Sequence, residues 1–141
     1  MWRFRKKRKR ASSVTKHYAN HKELARKLIL ERLQHHNEYY DFEYNRIAIR
    51  NQRRCWGSCT SLKNLNFSYK LLFLPEHLRD YIIVHELCHL AELNHGCNFW
   101  NLVAERVPDY KECVRELRSI EQKGTGVEHL LAVKESYRVS V

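Results

Sequence analysis

Tyr81-Ile82-Ile83-Val84-His85-Glu86-Leu87-Cys88-His89 is the stretch that decides how this chain folds and what it can do. Its run of apolar residues marks a helix that is mostly buried, and it carries two histidines four positions apart. At that spacing two side chains share one helix face, about 5–6 Å apart at Cβ. Two imidazoles so placed can close on a single Zn²⁺ at about 2.0–2.1 Å each. Glu86 follows the first histidine, where its carboxylate can serve as general base towards a metal-activated water. Buried His and Glu need partners, and a shared metal supplies them. The chain holds 9 histidines in 141 residues. That composition gives roughly 0.05 chance matches to HExxH, and roughly 0.003 once His95 is also required. A helix that merely carries two polar histidines is therefore the weaker reading. The stretch points to a zinc hydrolase, and first of all to a peptidase.

Working outward, Pro75 and Glu76 suit the first turn of this helix. Leu78, Ile82, Val84 and Leu87 run through it, and Asn94 and Gly96 are its natural stop signals. The stop matters for chemistry. Ten uninterrupted helical residues from His85 would carry His95 about 80° off the ligand face, and a turn near Asn94 can bring it back. Upstream, Leu24, Leu28, Ile29 and Leu33 have helical spacing within residues 17–37. Residues 46–50 form a β-type run, 55–60 are extended, 61–64 read as a turn, and 65–69 alternate apolar and polar. Downstream, helices are expected over 98–107, before Pro108, and over 109–123. The fold class is α+β: a small antiparallel sheet of about three strands packed on the metal-binding helix, with flanking helices.

Length gives one domain by prior. There are 5 cysteines, an odd number. With no apolar signal core and no transmembrane run, free thiols in a reducing cytoplasm are expected. The formal net charge is +10, but seven of the first ten residues are basic: Arg3, Arg5, Lys6, Lys7, Arg8, Lys9 and Arg10. Residues 1–16 thus read as a basic arm, 17–123 as the catalytic domain, and 124–141, opened by Gly124-Thr125-Gly126, as linker and tail. The arm has three readings: contact with a nucleic-acid backbone, with Trp2 and Phe4 available to stack; contact with another anionic surface; or a solvated tail.

Three neutral imidazoles leave a fourth position open, the arrangement of catalytic rather than structural zinc. His95 competes as third ligand with Glu105 and Glu112, since enzymes of the gluzincin type use a later Glu. It stands at the separation of the HExxHxxGxxH metzincin pattern, although Glu92 replaces that Gly and no internal Met exists. His95 is the preferred third ligand. Cys88 lies one residue before His89 and points away from the shared face, so thiolate ligation is disfavoured. Tyr69, Tyr81 and Tyr110 are open as oxyanion donors, with Tyr110 carried forward as the working candidate.

Cys55-Trp56-Gly57-Ser58-Cys59, Asn64-Leu65-Asn66-Phe67 and Leu71-Leu72-Phe73-Leu74-Pro75 precede the helix, and Asn94-His95-Gly96, Phe99-Trp100 and Pro108-Asp109-Tyr110 follow it. Taken in this order, over roughly residues 20–120, they resemble the YgjP-like metallopeptidase domain, a relative of the SprT-like zinc proteases. The resemblance implies a zincin-like α+β fold, one Zn²⁺ on His85, His89 and His95, and Glu86 as catalytic residue. Where the family has Arg before Trp-Gly-Ser-Cys, this chain has Cys55, with Arg53 and Arg54 just upstream. Trp56, Gly57 and Ser58 are candidates for the wall of the substrate cleft. The substrate would be a protein or peptide. The SprT-like relatives act on proteins attached to DNA, which by analogy makes nucleic acid a candidate partner of the basic arm. A non-peptidase metal hydrolase and a DNA-binding module with structural zinc are the alternatives.

Overall fold

The computed structural model describes residues 13–52 and 55–123. Helix α1 (Ser13–Tyr40) is followed by strands β1 (Arg46–Arg50), β2 (Gly57–Cys59) and β3 (Asn64–Ser68). A 3-10 helix (Tyr69–Phe73) leads into α2 (Glu76–His89), then α3 (Cys97–Arg106) and α4 (Tyr110–Lys123). The architecture is the expected α+β, with four α-helices around a three-stranded sheet.

Helix α1 is longer than the sequence pattern outlines, beginning at Ser13 and ending where Asp41 takes a left-handed φ of 54°. The Asn37 side chain clasps the exit, accepting from Phe42 N and donating to Phe42 O at 3.0 Å each. Its buried stripe is Ala25, Ile29, Leu33 and His36, one turn apart on one face, whereas Leu24 stays 57% exposed. Periodicity set the face within one residue, and packing against α2 settled the rest.

The sheet corrects one expectation: it is mixed. Strand β3 lies in the centre, antiparallel to β2 and parallel to β1, in the order β1-β3-β2. β2 and β3 form a tight hairpin closed by Thr60 and Lys63, which fixes their opposite senses. β1 adds to the far edge of β3, and the chain between Arg50 and Asn64 is long enough for the crossover that a parallel neighbour needs. Alternation reveals that a segment is a strand, but carries no information on the direction of its neighbour. Leu65 and Phe67 of β3 are fully buried, and Asn66 ties the other face together through Arg50 and Ser58.

Helix α2 is the spine. Leu78, Tyr81, Ile82, Ile83, Val84, Leu87 and Cys88 are all buried, so the helix is enclosed on nearly every side. Pro75 stands just before its first residue and accepts from Leu78 N and Arg79 N. A bidentate pair from Arg32 to Asp80, at 3.0 and 2.8 Å, fastens it to α1. α2 stops at His89, earlier than Asn94 and Gly96 suggest. There the turn tightens, with Leu90 N and Ala91 N bonding three residues back to Leu87 O and Cys88 O, and the Glu92 carbonyl lies 2.9 Å from His89 Nδ1. No helix among the described residues is long and apolar enough to cross a membrane.

Candidate active site

His85 and His89 leave α2 from one face, one turn apart, and the turn through Asn94 returns His95 to them. Asn94 Oδ1 accepts from Gly96 N at 3.1 Å and holds that turn. The three Nε2 atoms form a triangle: 3.1 Å between His85 and His89, 3.0 Å between His89 and His95, and 3.2 Å between His95 and His85. Tetrahedral ligands at 2.0–2.1 Å from one zinc ion would stand about 3.3 Å apart, close to the observed spacing.

The outer nitrogens show which lone pairs turn inward. Glu92 O can only accept, so His89 Nδ1 carries the hydrogen and Nε2 is left with its lone pair. His85 Nδ1 meets the Tyr81 hydroxyl at 3.1 Å, a partner that accepts from Nδ1–H in the tautomer that leaves Nε2 free for a metal. Burial, with neighbouring His89 and His95, holds the His85 pKa down to about 3, and burial lowers that of His89. Neutral imidazoles with converging lone pairs repel one another unless a cation lies between them. The residues present therefore fit a metal ion, and among the described residues these three form the one cluster able to hold it. Phe99, fully buried, stacks on His89 at 4.4 Å between ring centres, and Trp100 lies along His95 at 5.9 Å.

Glu86 and His85 together line a cavity of about 270 Å³. Trp56 and Gly57 line its sheet side, Tyr81, Ile82 and His85 its floor, and Leu117 of α4 the opposite wall. Glu86 is only 6% exposed, and its Oε2 makes no hydrogen bond among the described residues. Burial pushes its carboxyl up to about 8. Gly57 is what lets β2 come so close. A Cβ there would lie 3.0 Å from Asn66 O, 3.1 Å from Glu86 Cγ and 3.3 Å from Phe67 Cδ1.

Of the residues expected at the site, His85, Glu86, His89, His95, Trp56 and Gly57 come together. Ser58 turns instead to Asn66 Nδ2 at 3.2 Å, and the Trp56 indole donates to Glu121 Oε1 at 2.9 Å. Tyr110 stacks on Trp100 at 4.8 Å, whereas the Tyr69 hydroxyl meets His17 Nδ1. Neither Glu105, which accepts from Tyr39, nor Glu112 belongs to the cluster. Cys88 is buried, and Cys97 is exposed at the start of α3. The arm residues Arg3, Arg5, Lys6, Lys7, Arg8, Lys9 and Arg10, with Arg53 and Arg54, lie outside the described residues. Sequence reasoning missed Tyr81 as the partner of His85, although its place one turn before His85 on the same face was a usable signal. No side-chain pattern could announce the Glu92 carbonyl.

In structure the chain is similar to the metallopeptidase zymogen abylysin of Pyrococcus abyssi, with a TM-score of 0.60 and 22% identity over 67% of this chain and 95% of that one. It is likewise similar to the metallopeptidase zymogen jannalysin of Methanocaldococcus jannaschii, with a TM-score of 0.56 and 25% identity over 67% and 95%. No curated protein gives a match. The YgjP-like, metallopeptidase domain family model matches residues 2–120, so the expected resemblance holds over most of the chain. With an HExxH helix, a third histidine closing the triangle and a buried carboxylate beside it, this chain belongs to the YgjP-like family and is a metal-dependent peptidase.

Proposed function

We propose that the chain is a zinc endopeptidase in which His85, His89 and His95 hold one Zn²⁺ and Glu86 is the catalytic acid–base. The observation that carries this reading is the triangle of Nε2 atoms at 3.0–3.2 Å beside buried Glu86, whose Oε2 has no hydrogen-bond partner among the described residues. Zinc held there supplies Lewis acidity, lowering the pKa of water towards neutrality and polarising a carbonyl. Glu86 takes a proton from the attacking water and returns it to the leaving amine. Its raised pKa suits a group that must hold a proton near neutral pH, and a cation alongside would draw that value back down. Tyr81 is occupied in orienting His85, and Tyr69 is occupied by His17. That leaves Tyr110, close enough to raise the Tyr81 pKa, as the hydroxyl available to a developing oxyanion. Trp56 and Gly57 wall the cleft on the substrate side.

The test is Glu86→Gln. The variant should bind zinc as the parent does and lose roughly 10²–10⁴-fold in hydrolysis of an unstructured protein. A fully active variant would refute the role of Glu86. The finer reading of partners is that the basic arm contacts DNA phosphates near the protein substrate. Its charge supports this, and salt-dependent DNA binding lost on removal of residues 1–12 would test it.

A further inference from the structure

A second cavity, of about 530 Å³, adjoins the first and shares Val114 and Arg118 with it. Trp100, Tyr110, Lys111 and Arg115 complete its lining. Three of these six residues are cations and none is a carboxylate. Lys111, Arg115 and Arg118 come from one stripe of α4, are exposed, and form no ion pair among the described residues. Their neighbours are aromatic: Tyr110 stacks on Trp100 at 4.8 Å with the rings 15° apart, and Trp100 in turn lies along His95. Trp100 thus joins the cavity to the third histidine, and the remaining lining is rich in positive charge.

Resting on the peptidase reading, we propose that this cavity is a specificity subsite, taking the acidic side chain of an Asp or Glu next to the scissile bond. A planar carboxylate matches the forked donors of Arg115 and Arg118, while its aliphatic stem lies on the Trp100–Tyr110 stack. A phosphate would also be attracted. A concave, aromatic-walled pocket contiguous with the Glu86 cavity nevertheless suits a side chain of a bound peptide better than an extended backbone track.

The test uses the full-length zinc-loaded enzyme and quenched peptides that differ only at the residues flanking the cleaved bond, carrying Asp, Glu, Ala or Lys. At one flanking position kcat/KM should favour the acidic residue over Ala by about tenfold, and less at high salt. In Arg115→Glu/Arg118→Glu the ranking should reverse in favour of Lys, and in Arg115→Gln/Arg118→Gln it should flatten. Ratios taken within one preparation are insensitive to the fraction that is folded. Equal cleavage of acidic, neutral and basic peptides by the parent, or a ranking that survives charge reversal, would overturn the subsite. Absence of all hydrolysis would overturn the peptidase reading with it. A DNA oligonucleotide bound by the parent and lost in the double Glu variant, with the peptide ranking unchanged, would assign the cavity to phosphate instead.

Discussion

Gly57→Ala is the most discriminating single change, because the structure states what one methyl group would meet. Its Cβ would stand 3.0 Å from the Asn66 carbonyl, 3.1 Å from Glu86 Cγ and 3.3 Å from Phe67 Cδ1. Ordinary contact begins near 3.4 Å, so all three neighbours are too close. Asn66 O belongs to the central strand, directly beside the Gly57–Phe67 register pair, and Phe67 is fully buried. Neither can retreat, so either β2 shifts outward or Glu86 is pushed. Overpacking of this kind costs about 1–3 kcal/mol. Restricting the unfolded chain returns about 0.4–1 kcal/mol. The net destabilisation is about 1–2 kcal/mol, or about 5–10 °C in Tm for a domain of this size. Because the clash falls on Glu86, the proposed acid–base, kcat/KM should drop about tenfold even well below Tm, where the variant is folded. Calorimetric unfolding of the zinc-loaded protein and peptidase kinetics at 20 °C measure the two effects. A variant as stable and as active as the parent would refute the claim that Gly57 exists to admit Glu86.

Tyr81→Phe removes the hydroxyl on His85 Nδ1 and should weaken zinc binding about 10–100-fold, read by competition with a chromophoric chelator; an unchanged Kd would show that the contact is incidental. Asp80 is subject to burial, which raises its pKa, but the His36 imidazole 3.6 Å away and the two hydrogen bonds from Arg32 outweigh this and hold it down to about 2. A folded pKa below the unfolded value of about 3.9 means stability that is present above pH 4 and lost as the pH falls through 2. Asp80→Asn should therefore cost about 2 kcal/mol in urea unfolding at pH 6, with the gap to the parent closing between pH 4 and 2; a gap that does not vary with pH would contradict the linkage.

What the sequence made legible followed from period and spacing. Histidines four apart on an apolar helix specify both burial and a shared face, so His85, Glu86 and His89 could be placed before any fold was known. His95 was reachable because Asn94 and Gly96 signal a break, although the helix itself ends earlier, at His89, whose ring meets the Glu92 carbonyl. Backbone atoms carry no residue-type signal, which is why that contact was invisible. The direction of β1 was equally hidden, since Ile47 and Ile49 read the same in a parallel or an antiparallel ladder. The cavity beside Glu86 was half legible: Trp56 and Gly57 of the Trp56-Gly57-Ser58 segment line it, but only the pleat tells that Gly57 faces Glu86 while Ser58 turns to Asn66. The α4 face was not legible at all, because cations on an amphipathic helix look the same whether they line a cavity or face solvent.

The site also imposes a cost on the fold that explains its construction. Glu86 sits buried with an oxygen unpartnered, and neutral imidazoles aim lone pairs at one another. Each feature disfavours the metal-free folded state. They are tolerated because α2 is held on every side by buried apolar residues, clasped to α1 through Arg32 and Asp80, and braced at its far end by Phe99 stacked on His89. A cation among the three nitrogens would relieve the repulsion and give the carboxylate an opposite charge, so the preorganisation that is costly without a metal is the same quantity that would favour binding one. Binding at a thousandfold excess over Kd adds about 4 kcal/mol to stability. Helix α2 thus couples the core to the chemistry: what rigidifies one supplies the geometry of the other.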